Sequence, residues 1–129
     1  MMQFSTPYFP PPVDRKNGEL KHRYRMKWLN SIREQLKDHR HSYEAVNVEI
    51  TYFFDTLSVQ DLDNIEFKYI IDAFRQLKII PDDTWRRVSI RLEGEYDPTN
   101  PRTEINVIPR KIKTYQKSQY TCNTNEEGW

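Results

Sequence analysis

The chain has 129 residues, 30% of them charged, and a formal net charge of +1 at pH 7. That length suits one domain able to bury a core without disulfides, and the single cysteine, Cys122, excludes both an internal disulfide and a cysteine-built zinc site. No apolar run approaches the roughly 18 residues of a membrane-spanning helix, and the opening "MMQFSTPYFPPPV" has no apolar run bounded by a cleavage site, so neither membrane span nor signal peptide is expected and a reducing cytoplasm is the expected compartment.

The start is punctuated by Pro7, Pro10, Pro11 and Pro12. Three consecutive prolines favour an extended, polyproline-like path. "DRKNGEL" follows as a turn with Asn17-Gly18 at its tip, so residues 1–20 read as an extended, proline-rich and basic arm. From about Leu20 to Lys37 the apolar residues Tyr24, Trp28, Ile32 and Leu36 recur every four positions, with Leu29 widening the stripe, which predicts a helix with one face in the core. Residues 14–41 carry nine Lys and Arg against four Asp and Glu, a strongly basic segment.

The next segment reverses that sign. Residues 44–72 carry one Lys against seven Asp and Glu. Neighbouring segments of opposite charge fit a polyanion held by one and a cation held by the other, or simply two solvated surfaces. Within the acidic segment "AVNVEITYFF" alternates, with Val46, Val48, Ile50, Tyr52 and Phe54 on one side, the pattern of a half-buried strand. "NIEFKYIIDAFRQL" then predicts an amphipathic helix, with Ile65, Tyr69, Ala73 and Leu77 in one row and Ile70 and Phe74 beside it, starting near Asn64 as N-cap. "RRVSIRLEGEY" predicts a second strand with Val88, Ile90 and Leu92 inward. "RTEINVI" predicts a shorter third strand through Ile105 and Val107, joined to the second by the hairpin-like "DPTNP". Residues 110–129 lack sustained periodicity and read as a mobile tail, or an arm that orders on a partner. The expected class is α/β (α+β): one domain over residues 1–109, with a mixed sheet packed against helices.

Two acid groups carry the chemistry. Asp61 and Asp63 lie in "DLDN" and Asp82 and Asp83 in "PDDT". A helix over 65–77 is about 20 Å long, and the six residues "KIIPDD", if extended along it, reach about the same distance, enough to bring the groups together. Converging carboxylates repel and raise their own pKa values, a penalty that a divalent cation removes. Hard Mg²⁺ prefers such oxygen ligands. Lys68, early in the helix, can lean back toward its N-terminus and stabilise charge developing on a phosphate. The structural alternatives are equally concrete. Asp63 or Asn64 can cap the helix, "PDDT" can be a turn, and Lys68 can pair with Asp72 on the surface.

"DLDN", a helix carrying Lys and "DA", and "DD" before a strand together resemble the RusA family of Holliday junction resolvases. The likeness covers the layout of residues 7–108, with specific motifs only over 61–83. It implies a compact fold with a mixed sheet, a homodimer acting on four-way DNA junctions, and Mg²⁺ (or Mn²⁺) held by carboxylates beside a lysine. By position it implies Asp61, Asp63 and Asp83 as metal ligands assisted by Asp82, and Lys68 as the lysine. Lys68 lies five residues beyond Asp63, one more than is usual in the family. An extra residue rotates a helix by about 100°, so Lys68 reaches the carboxylates only if the helix becomes regular after Asn64.

The expectation is therefore a Mg²⁺-dependent, structure-selective endodeoxyribonuclease. Arg15, Lys16, Lys21, Arg23 and Arg25 would contact DNA backbone phosphates, which position DNA without reading sequence. The alternatives are a nucleic-acid-binding or adaptor protein of the same fold without catalysis, and a purely structural role for both acid groups. Glu66-Phe67-Lys68 with Asp55 or Asp61 upstream also matches restriction-type nuclease sites. Those place the Glu-x-Lys on a strand, whereas here it lies in a helical pattern.

Overall fold

The computed structural model describes residues 2–9, 18–36, 42–58 and 67–115. They form β1 (Met2–Thr6), α1 (Gly18–Leu36), β2 (Ala45–Phe54), α2 (Lys68–Gln76), β3 (Val88–Tyr96) and β4 (Arg102–Arg110). The four strands make one mixed sheet in the order β1-β4-β2-β3. This is the expected α+β class, with a mixed sheet packed against helices.

One face of the sheet is apolar because alternate residues of every strand point to it. The register sets Val48 opposite Val107 and Ile50 opposite Ile105 across β2 and β4, and Phe4 opposite Ile105 across β1 and β4. These side chains are almost fully buried together with Trp28, Leu29 and Ile32 from α1 and Ile70, Ala73 and Phe74 from α2. Both helices therefore cover the same face. Emptying such a site, as in Phe74→Ala, typically costs about 3–5 kcal/mol.

Several expectations are corrected. The connection "DPTNP" is no hairpin: β3 and β4 lie on opposite sides of β2, β3 parallel to it and β4 antiparallel. The reason is burial. Thr103, Ile105 and Val107 of β4 are buried, as an inner strand requires, whereas β3 buries no residue fully, with Val88, Ser89 and Leu92 half-buried and Ile90 39% exposed. It also carries Arg91, Glu93 and Glu95, so β3 is a charged edge strand, a composition that discourages further pairing. The parallel link from β2 to β3 runs through α2, as parallel strands need a long crossover. The third strand is longer than expected, reaching Arg110. At the other edge Met2–Thr6, expected as part of an arm, pairs with β4.

The segment after α2 also departs from expectation. It does not run extended along the helix. Ile79 N–H donates to Phe74 O (2.9 Å) and Lys78 N–H to Arg75 O (3.1 Å), the paired bonds of a Schellman cap. Lys78 occupies the left-handed position at φ 60°. The cap turns the chain so that Ile79 and Ile80 enter the core, each 1% exposed. Ile79 O then accepts from Tyr43 N–H (2.8 Å), just ahead of β2.

Among the described residues no helix is long and apolar enough to cross a membrane.

Candidate functional site

The N-terminus of α2 carries the predicted lysine. α2 runs from Lys68, with Phe67 in the N-cap position, itself at helical backbone angles (φ −70°, ψ −10°) and without a side-chain cap. The expected N-cap, Asn64, lies outside the described residues. Lys68 is exposed and makes no hydrogen bond or ion pair among the described residues. Its expected surface partner, Asp72, is buried and pairs instead with Arg75 (3.4 Å). An ion pair three residues along a helix is a normal substitute for one four away. The first turn of α2 holds no acid, so a cation stands at the positive end of the helix dipole, where local energetics disfavour it.

The basic helix α1 reaches the same place. The guanidinium of Arg25 lies over the ring of Tyr69, 6.0 Å from its centroid, directly beside Lys68 in sequence. Arg23 and Arg25 are both exposed. Lys27 sits 4.4 Å from the centroid of Tyr8. That ring is held to the sheet, since Thr103 Oγ1 donates to Tyr8 O (2.7 Å). The neighbouring Phe9 stacks on Phe54 at 5.6 Å, at the end of β2 from which the acidic segment departs. Of the other predicted DNA contacts, Lys21 lies on α1, and Arg15 and Lys16 lie outside the described residues.

The "PDDT" acids lie elsewhere: their segment is tied to the start of β2 through Ile79 O and Tyr43 N–H, whereas α2 begins after the chain has left the far end of that strand, so among the described residues Lys68 and Asp83 are not brought together. Asp82 Oδ1 accepts from Thr84 N–H (3.1 Å) and Thr84 Oγ1 (2.7 Å), an Asx turn. Its Oδ2 pairs with Arg87 Nε (3.1 Å), and Arg87 Nη1 donates to Glu44 O (2.9 Å) at the start of β2. The hydrogen bonds from Thr84, followed by the Arg87 charge, hold the Asp82 carboxyl below the usual range. Asp82 therefore fixes the turn and has its charge matched by Arg87. Asp83 is different. It is exposed and makes no hydrogen bond or ion pair among the described residues, so both its oxygens face solvent as potential ligands for a hard cation.

Asp61 and Asp63 lie outside the described residues, as do Glu66 and the tail beyond residue 115. Among the described residues no three His, Cys, Asp or Glu side chains gather into a metal-binding group. Two clefts, of about 250 and 180 Å³, open among Gln3, Ser5, Glu104 and Asn106 and among Glu49, Arg91 and Glu93. Neither contains Lys68, Asp82 or Asp83.

Trp85, Arg86 and Tyr115 form a further cluster, one that sequence pattern does not single out. Arg86 lies over both rings, 5.3 Å from the Trp85 centroid and 5.7 Å from that of Tyr115. Its sequence signal is slight, a Trp beside two arginines in "TWRR" and a Tyr in the basic "RKIKTYQK".

Comparison of the sequence with family models and with curated proteins finds no match.

Proposed function

We propose that this protein is a Mg²⁺-dependent, structure-selective endodeoxyribonuclease that cuts four-way DNA junctions, acting as a homodimer in the cytoplasm. The observation that carries the reading is Lys68, an exposed cation at the first residue of α2 with Arg25 over the adjoining Tyr69. Nothing in helix energetics favours a lysine there. A phosphate brought to that helix end would be met by the ammonium and by the exposed arginines of α1. The mixed sheet supports the same resemblance, and so does Lys68 as the first residue of α2.

The donor set fits a hard divalent ion. Asp83 offers an unengaged carboxylate, and Asp61 and Asp63 would complete an all-oxygen set. Asp82 would assist by holding the turn that presents Asp83. When bound, Mg²⁺ supplies activation of water and charge for phosphate oxygens. Lys68 stabilises the negative charge that builds on the phosphate during in-line displacement. Arg23 and Arg25 hold backbone phosphates and set the register of the DNA. A twofold pair of subunits matches the paired strands of a junction.

The test is cleavage of a labelled four-way junction in Mg²⁺ by the wild type and by Asp63→Asn and Asp83→Asn. Both variants are expected to lose cleavage and keep junction binding. Near wild-type cutting by either would remove that carboxylate from the metal site. Binding without cleavage by the wild type itself, in Mg²⁺ and in Mn²⁺, would instead identify a non-catalytic DNA-binding or adaptor protein.

A further inference from the structure

We infer that Trp85 and Tyr115 form a stacking platform for an unpaired base of a single DNA strand, with Arg86, Lys111 and Lys113 holding the adjoining phosphates. Trp85 is 60% exposed and Tyr115 46% exposed. The two rings stand 5.7 Å apart, tilted by 50°. The guanidinium of Arg86 lies over both rings, and the exposed part of Trp85 is ring surface that a ligand can reach.

The platform is fixed before any ligand arrives. Arg87 N–H and Val88 N–H both donate to Thr84 O (3.0 Å each), closing a tight turn around Trp85. Residues 110–115 are strapped to that turn because Arg86 O accepts from Lys113 N–H (3.3 Å) and from Arg110 Nη1 (3.1 Å). Preorganised aromatic groups bind with less ordering cost.

Charge selects the ligand. Residues 110–115 carry Arg110, Lys111 and Lys113 and no acid, and both lysines are exposed. Arg87 is already matched by Asp82, so among the described residues of this cluster Arg86 and the two lysines can meet a polyanion. Exposed aromatic faces interleaved with cations match the chemistry of a single strand, whose bases stack on rings while phosphates meet positive groups. A duplex keeps its base faces covered. The choice of DNA over RNA rests on the proposed function. The stacking site itself does not, because it needs neither metal nor cleavage.

The experiment measures anisotropy of labelled single strands with the full chain in EDTA, so that no cutting is read. Oligo-dT, oligo-rU and an abasic strand of equal length are compared across a salt series. Trp85→Ala is expected to weaken oligo-dT binding roughly tenfold or more, the effect of unstacking one base. Its salt slope should stay unchanged because phosphate contacts persist. Trp85→Phe should restore most of the affinity, and the abasic strand should bind wild type and Trp85→Ala alike. Thermal melting of the variants, at an exposed position, checks that they fold. Equal oligo-dT binding by wild type and Trp85→Ala would overturn the proposal and leave the platform to a protein or to residues 116–129. Tighter binding of oligo-rU than of oligo-dT would overturn the assignment to DNA. Failure of the nuclease reading would show separately, as absence of cleavage in Mg²⁺.

Discussion

The guanidinium of Arg25 on α1 lies over the ring of Tyr69, the second residue of α2, 6.0 Å from its centroid. This contact brings the basic helix to the helix end that bears Lys68. Arg23→Gln with Arg25→Gln is expected to weaken junction binding and to flatten its salt dependence by roughly one unit of slope for each phosphate that is no longer neutralised. The positions of the cuts should not move. A binding titration at several salt concentrations checks this. An unchanged slope would shift backbone binding to other cations, such as Arg86 and the basic segment after Arg110.

Lys68→Ala separates catalysis from stability. The charge is expected to act in the transition state, so cleavage should fall by several powers of ten with little change in affinity for the junction. Removing a cation from the first residue of α2 should leave stability unchanged or raise it by about 0.3 kcal/mol, since it opposed the helix dipole. Single-turnover cleavage and urea unfolding of the same variant read the two effects. A fully active Lys68→Ala protein would remove the lysine from the site and leave the carboxylates standing.

Two depressed carboxyls predict the acid limb of stability. Asp97 is held below the usual carboxylate value by Arg102 first and then by the Thr99 hydroxyl, with Arg102 Nη1 at 2.7 Å. Asp82 is held down by Thr84 first, with Arg87 adding to it. A group depressed on folding stabilises the fold above its unfolded value, 3.8 here, and loses that contribution as pH falls through the lower folded value. Asp97→Asn should therefore melt below the wild type at pH 7, and the two melting temperatures should converge below about pH 4. A difference that persists undiminished at about pH 2, below the usual carboxylate range, would show that the pair acts by packing rather than by charge.

Lys78 offers a stabilising substitution. It is a non-glycine residue at φ 60°, where a Cβ is disfavoured. Lys78→Gly should raise stability by about 0.5–1 kcal/mol in urea unfolding, the strain relieved outweighing the extra freedom of the unfolded chain. Because Lys78 is exposed, junction cleavage should not change. A drop in stability would mean that its side chain supports the cap in a way its backbone angle does not show.

The sequence by itself determined what depends on neighbours along the chain. The stripe of Trp28, Leu29, Ile32 and Leu36 and the alternation of Val46, Val48, Ile50 and Tyr52 are buried as their periods required, because a helix or strand repeats its facing at fixed intervals. The "PDDT" turn was legible for the same reason, since an Asp reaches a hydroxyl two residues on without help from the fold. The tertiary structure decided what depends on residues far apart. Periodicity gave β3 and β4 equal claims to the centre of the sheet, and adjacency in the chain suggested a hairpin. Pairing instead placed β4 inside, where Thr103, Ile105 and Val107 could be fully buried, and left the charged β3 at the edge. The same holds for the site. Arg25 and Tyr69 are 44 positions apart, and Trp85 meets Tyr115 across 30. No local pattern records such meetings, because they arise only when α1 packs on α2 and when the segment after β4 is strapped to the turn before β3.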